Sequence, residues 1–306
     1  MLSNYAHQLG AENCPTKISK MNEFDKAKQL FLDGLQLLES EQFELAEAKL
    51  SEAHRLLPDR LSVLVNLSAV QIKLQRFEQA KATAQRALAL DASHADSWLN
   101  LGIAEKGISS YTQALHCLDQ ALHFNPALAA AWMHKGWVHI AQKQATDAQA
   151  CFNQAAQMDP KFARTWQADA CLSLGALFYN SHQVEAAIGP YQQALASSQD
   201  QVLALQSLLI VYAELKRHDA LTELISQHAA IIQKDALCHE LLGFYYFNTD
   251  RLDLAQHHFR QAALLSEHQP NTNNPQEWPA SEPRLRHDLE QLSLLKARGL
   301  QNASAQ

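Results

Sequence analysis

Trp98, Gly102, Glu105, Ala114, Leu118, Ala121 and Pro126 recur 34 residues later as Trp132, Gly136, His139, Ala148, Phe152, Ala155 and Pro160. A repeat of this length constrains the chain more than its composition does, because each copy is one small unit that buries its apolar face against the next. The length of 306 residues therefore does not set a domain count. With 47% hydrophobic residues, and only 9 Gly and 9 Pro, there is apolar mass for packing and little punctuation for strands and turns. The expected fold class is all-α.

The period and the order Trp, Gly, Ala, aromatic, Ala, Pro resemble the tetratricopeptide repeat (TPR), a helix-turn-helix unit that stacks into an α-solenoid. About seven copies can be placed. Four share one phase within 21–162: Ala27–Arg60, Leu61–His94 and the two clear copies across Ala95–Phe162. After Phe162 the phase slips. Five inserted residues restore it, giving three further copies within 163–269: Ala168–Gln201, Val202–Asp235 and Ala236–Gln269. Five extra helical residues would rotate the later copies by roughly 140°, so the first helix of the fifth repeat is expected to be longer than its neighbours or interrupted. Gly189-Pro190 inside its second helix adds an expected kink.

Outside the repeats, residues 1–20 lack a helical period and read as a loose tail, with Asn22 as a cap for the first helix. Residues 270–282 are polar and proline-broken, a loop. Leu285, Leu289, Leu292 and Leu295 then make one face of a helix over 283–299, expected to cap the array. Within it Arg286-His287-Asp288 and Gln291 resemble a helix that follows the repeats in some bacterial proteins carrying a 2-oxoglutarate and iron dioxygenase-like domain.

Charge and motif content narrow the function. The net charge of -7 argues against a general phosphate-binding surface, so nucleic acid is not expected as a partner. No leader pattern or stretch of eighteen apolar residues occurs, so neither secretion nor a membrane is expected. Five cysteines contain no CxxC pair, which fits a reducing cytoplasm and implies no disulfide framework or zinc knuckle. Cys117 and Cys151, one repeat apart, read as small core residues. The fifteen histidines lack ligand spacing, and neither a phosphate-cradling glycine loop nor a nucleophile signature is present. No metal, cofactor or catalytic residue is expected, and the chain is read as a non-enzyme.

The TPR resemblance implies that the second, fifth, sixth, ninth, twelfth and thirteenth places of each first helix face a concave groove. At the sixth place stand Asn66, Asn100 and His134, one repeat apart. A similar asparagine ladder in the TPR superhelix of O-linked N-acetylglucosamine transferases holds extended peptide backbone, since a carboxamide both donates and accepts. The alternative is that these asparagines hydrogen-bond within their own repeat. Beside the row stand Val65, Ala69, Leu99, Ile103, Met133, Trp137 and Ile140, then Tyr179, Phe244 and Phe247, apolar area that favours a peptide or helix as ligand. A carboxylate clamp for acidic chaperone C-termini would need basic and amide residues where Phe31, Leu35, Asn66, Asp96 and Asn100 stand. Asp96 would repel such a ligand. The expected function is a TPR adaptor or scaffold binding a protein or peptide segment in its groove. The alternatives are a self-associating structural subunit, a homo-oligomer, or a regulatory arm or remnant of a modifying enzyme.

Overall fold

The computed structural model describes residues 23–197 and 201–268. The expected N-terminal tail, the Asn22 cap, the loop over 270–282 and the capping helix over 283–299 lie outside the described residues. Among the described residues all regular structure is helical. It falls into two compact units, one ending at Ser109 and the other beginning at Ser110.

In the first unit α1 (Glu23–Glu39) pairs with α2 (Phe43–Leu56), α3 (Leu61–Lys73) pairs with α4 (Phe77–Leu90), and α5 (Ala95–Gly107) packs on both α3 and α4. Its core includes Ala46, Leu50, Leu67 and Val70. The second unit begins with α6 (Tyr111–Phe124), followed by the pair α7 (Ala129–Ala141) and α8 (Ala145–Met158) and the single turn α9 (Pro160–Ala163). The pairs α10 (Gln167–Asn180) with α11 (Val184–Leu195), α12 (Gln201–Glu214) with α13 (His218–Gln227), and α15 (Ala236–Asn248) with α16 (Leu252–His268) complete it; α14 (Ala229–Ile232) is a short turn before α15. One apolar cluster runs through it from Ala145 to Tyr245.

The turns between paired helices carry the period in the backbone. Glu41, Gln75, Ser109, Lys143, His182, Lys216 and Asp250 all adopt the left-handed conformation, with φ between 55° and 63°. Successive members are 34 residues apart, except that Lys143 and His182 are 39 apart. Each closes its helix with the double hydrogen bond of a Schellman motif where both bonds are seen. After α7, for example, Lys143 N–H donates to Ile140 O at 3.0 Å and Gln144 N–H to His139 O at 2.9 Å. Six of these turns show that pair, and none has glycine at the left-handed position.

Side-chain volume at the eighth and twenty-fourth places sets how closely each pair approaches. A Cβ added to Gly136, Gly175 or Gly243 would meet Phe152, Tyr191 or Phe259 at 2.6 Å, and one at Gly34 would meet Leu50 at 2.8 Å. Glycine opposite a large side chain is thus one solution. Repeat two uses Ser68 and Ala84, both fully buried, as another. Repeat six has Leu209 and Ile225 there, both large. Its second helix is only 10 residues long and restarts as α14 after His228, whose φ of -115° leaves the helical range.

The five-residue insertion neither lengthens nor interrupts α10. It is absorbed before it: Asp159 caps a new turn, its Oδ1 accepting from Lys161 N–H at 3.0 Å and Phe162 N–H at 2.9 Å, with Pro160 at the first helical position. α10 then starts at Gln167 with an ordinary 14 residues. In α11 the helix runs through Pro190. The Gly189 before it has no atom within 4 Å of an added Cβ, so its reason is local: a residue preceding proline is crowded in the helical conformation, and glycine has no Cβ to crowd.

Candidate binding faces

In the first unit, α3 and α5 position Asn66 and Asn100. Asn66 is half-buried and its Nδ2 donates to Ser62 O at 2.8 Å, one turn back in α3. Asn100 is 8% exposed. Its Nδ2 donates to Val65 O at 3.0 Å and to Ser68 Oγ at 2.9 Å, while Ser68 Oγ donates to Val65 O at 2.8 Å. This triangle joins α5 to α3 and satisfies a fully buried hydroxyl. Both amide hydrogens of Asn100 are used inside the protein, whereas Asn66 keeps one hydrogen and its Oδ1 outside the Ser62 bond. Val65 is half-buried and Leu99 is buried.

In the second unit, α7 holds Met133, His134 and Trp137 half-buried. Met133, Trp137 and Ile140 lean against the apolar cluster, and the Trp137 ring meets Phe152 edge-on at 5.4 Å and 72°. Tyr179, in α10, is only 1% exposed and belongs to the core. The structure therefore brings Asn66 with Asn100, and Met133 with Trp137, into shared neighbourhoods, while Leu99 and Tyr179 are covered.

An apolar concavity lies farther along, between α12 and α15. It encloses about 410 Å³ and is lined by Leu209, Ile210, Ala213, Leu241, Phe244 and Tyr245, with Lys216, His218, Asn248 and Thr249 as polar groups. Ile210 and Ala213 stand at the ninth and twelfth places of repeat six, and Leu241, Phe244 and Asn248 at the sixth, ninth and thirteenth of repeat seven. Phe244 is locked edge-on against Phe259 at 4.9 Å, and Tyr245 OH lies 2.7 Å from His218 Nδ1. Burial pushes the Tyr245 phenol up, so it stays a neutral hydrogen-bonding group at physiological pH. Of these lining residues, the groove places in the sequence pointed to Phe244. Ile210 and Ala213 were passed over, although their places in the repeat were the available signal.

Among the described residues no group of three or more His, Cys, Asp or Glu is placed to hold a metal ion. Burial pushes the Cys151 and Cys171 thiols up to about 11 and raises Cys238 as well, so none is poised as a thiolate nucleophile. No described helix is long and apolar enough to cross a membrane.

Paired antiparallel helices, closed by recurrent left-handed turns and locked by a small residue opposite a large one, define an all-α helical-repeat protein of the α-solenoid class. The chain is a tetratricopeptide repeat protein: residues 37–101 and 107–161 match two tetratricopeptide repeat models. Among solved structures, the pilF protein of Pseudomonas aeruginosa is similar with a TM-score of 0.53 and 17% identity, over 71% of this chain and 97% of that one. A thermophilic TPR protein of Thermus thermophilus aligns at 0.48 with 21% identity, over 60% and 99% of the two chains. MamA of Desulfovibrio magneticus also aligns at 0.48 with 21% identity, over 57% and 98%. These are likenesses of fold. No curated protein matches the chain by sequence. The TPR fold suggests a protein-interaction adaptor.

Proposed function

We propose that this TPR protein is a non-catalytic adaptor that takes an extended or helical segment of a partner protein on the face formed by the first helices of its repeats. The observation that carries this reading is the cleft between α12 and α15, apolar in its walls and polar at Lys216, His218, Asn248 and Thr249. A buried apolar anchor held by such walls, with polar groups beside it to take backbone hydrogen bonds, is how grooves of this kind recognise peptides. In the earlier repeats the proposed contacts are Val65 and Asn66 on α3 and Met133, His134 and Trp137 on α7, which are half-buried and keep accessible surface, whereas Leu99, Asn100 and Tyr179 are buried.

The reading is tested by selecting a random-peptide display library on the full chain. Recovered peptides should share an aromatic or large aliphatic anchor and lose binding when the cleft is altered. Failure to enrich any peptide, or enrichment of purely charged sequences, would count against it.

Self-association is a second reading with one specific support. On α16, Leu252 is 61% exposed and Leu264 is 52% exposed, apolar area that a second copy would cover. A molecular mass that stays monomeric over a hundredfold range of concentration would remove it.

A further inference from the structure

α16 meets α15 through an unusual polar contact inside a repeat interface. His239 in α15 is 6% exposed, and its Nδ1 lies 2.9 Å from Nδ1 of His258 in α16. At that separation one ring must carry the hydrogen and the other must accept it. The rings are 5.1 Å apart, His258 stacks on Tyr246 at 5.4 Å and 21°, and His257 meets it edge-on at 5.4 Å. One added proton is compatible with this geometry, because the donor ring can take it on Nε2 and still donate from Nδ1. A second is not. It puts an N–H on both facing atoms and two positive charges in contact.

We propose that His239 and His258 form an acid-operated latch that fastens the second helix of repeat seven to the first and opens when both rings are protonated. The surrounding charges do not compensate a second proton. From α15 the Asp235 carboxylate favours charge on His239, but its Oδ1 already accepts from Cys238 N–H at 2.7 Å and from Gln206 Nε2 of α12 at 2.9 Å. Gln206 is neutral, and α14, which also packs on α15, contributes only alanine and isoleucine. From α16 His257 works against charge on either ring. Lys234 and Arg260 are exposed, and Glu240 is half-buried. Burial first, then the neighbouring imidazoles, push His258 down to about 4, and burial lowers His239 too.

The sign follows from the lowered values. The unfolded repeat takes up protons near the ordinary histidine value of about 6.5, whereas the folded repeat resists them. The latch therefore contributes its full stability above that value and loses it as pH falls toward about 4. Opening would release α16 and free the back of α15, whose other side forms the cleft wall at Leu241, Phe244 and Tyr245. The latch itself does not depend on what the cleft binds.

Hydrogen exchange of the full chain, corrected for the intrinsic pH dependence of exchange, reads this directly. Between about pH 7 and pH 4.5, protection over residues 236–268 should fall at least about tenfold more than over residues 129–158. His258→Gln keeps a hydrogen-bonding partner for His239 but cannot hold the second proton, so it should remove that excess. A parallel fall in both regions, or a variant that loses protection in acid as the native chain does, would overturn the proposal. Imidazole NMR of the native chain keeps the test open if the variant fails to fold. The second proton should enter only below the free histidine range and as the repeat-seven signals lose their dispersion; independent titration of both rings with repeat seven intact would overturn it.

Discussion

At the scale of single residues, the side chains that look alike in sequence divide by where their hydrogen bonds go. Asn66 and Asn100 occupy the same place in adjacent repeats, yet Asn100 brackets two helices and Asn66 bonds within one. Asn100→Ala removes both bonds that tie α5 to α3, leaving Ser68 Oγ and Val65 O bonded to each other, and should cost about 1–3 kcal/mol in urea unfolding, against less than about 0.5 kcal/mol for Asn66→Ala. Equal costs would contradict the bracket. Trp166 is the other residue with a specific burden. It is 8% exposed, its ring lies 5.5 Å from Phe152 and 6.3 Å from Phe162, and it closes the junction where the insertion enters. Trp166→Ala should destabilise the second unit by about 3–5 kcal/mol. A change near zero in thermal or urea unfolding would show that the junction does not depend on it.

At the scale of elements, the helix pairs were legible because their apolar and small residues recur at fixed offsets, and the slip after Phe162 was legible as a broken offset. The form of the slip was not. Pro160 and Asp159 carry the signature of a helix start, but a repeat-based reading assigned that proline to the end of the preceding copy. The turns were illegible for a different reason: left-handed positions are usually marked by glycine, and here Glu41, Gln75, Ser109, Lys143, His182, Lys216 and Asp250 fill them. Tertiary packing of the paired helices imposes the conformation on residues that do not prefer it. Lys143, exposed and at φ 61°, should therefore accept glycine well. Relief of the left-handed penalty, about 1–2 kcal/mol, exceeds the entropic cost of glycine, so Lys143→Gly should stabilise by up to about 1 kcal/mol. A lower melting temperature would mean that the lysine side chain contributes more than its backbone costs.

At the scale of the molecule, the sequence pointed to a face made of first helices but not to the cleft between α12 and α15. The most visible marks of the repeat, Trp98 and Trp132, spend their indole N–H groups on Ala92 O and Pro126 O beside their own helices. Tyr179, aromatic and at a groove place, is covered by its neighbours. The cleft arises instead between repeats six and seven. There Leu209 takes the eighth place, which every other repeat fills with glycine or serine, opposite the large Ile225, and the pattern was hardest to read for that same reason. The proposed role of this cleft is to anchor a partner segment. It is tested most directly by the affinity of a library-selected peptide for the full chain and for Ala213→Arg, which fills the cleft from a half-buried position on α12, with Ile210→Ser as a milder companion. Ala213→Arg should lose at least about tenfold in affinity and Ile210→Ser less, with helical circular dichroism unchanged. Undiminished affinity in both folded variants would contradict it.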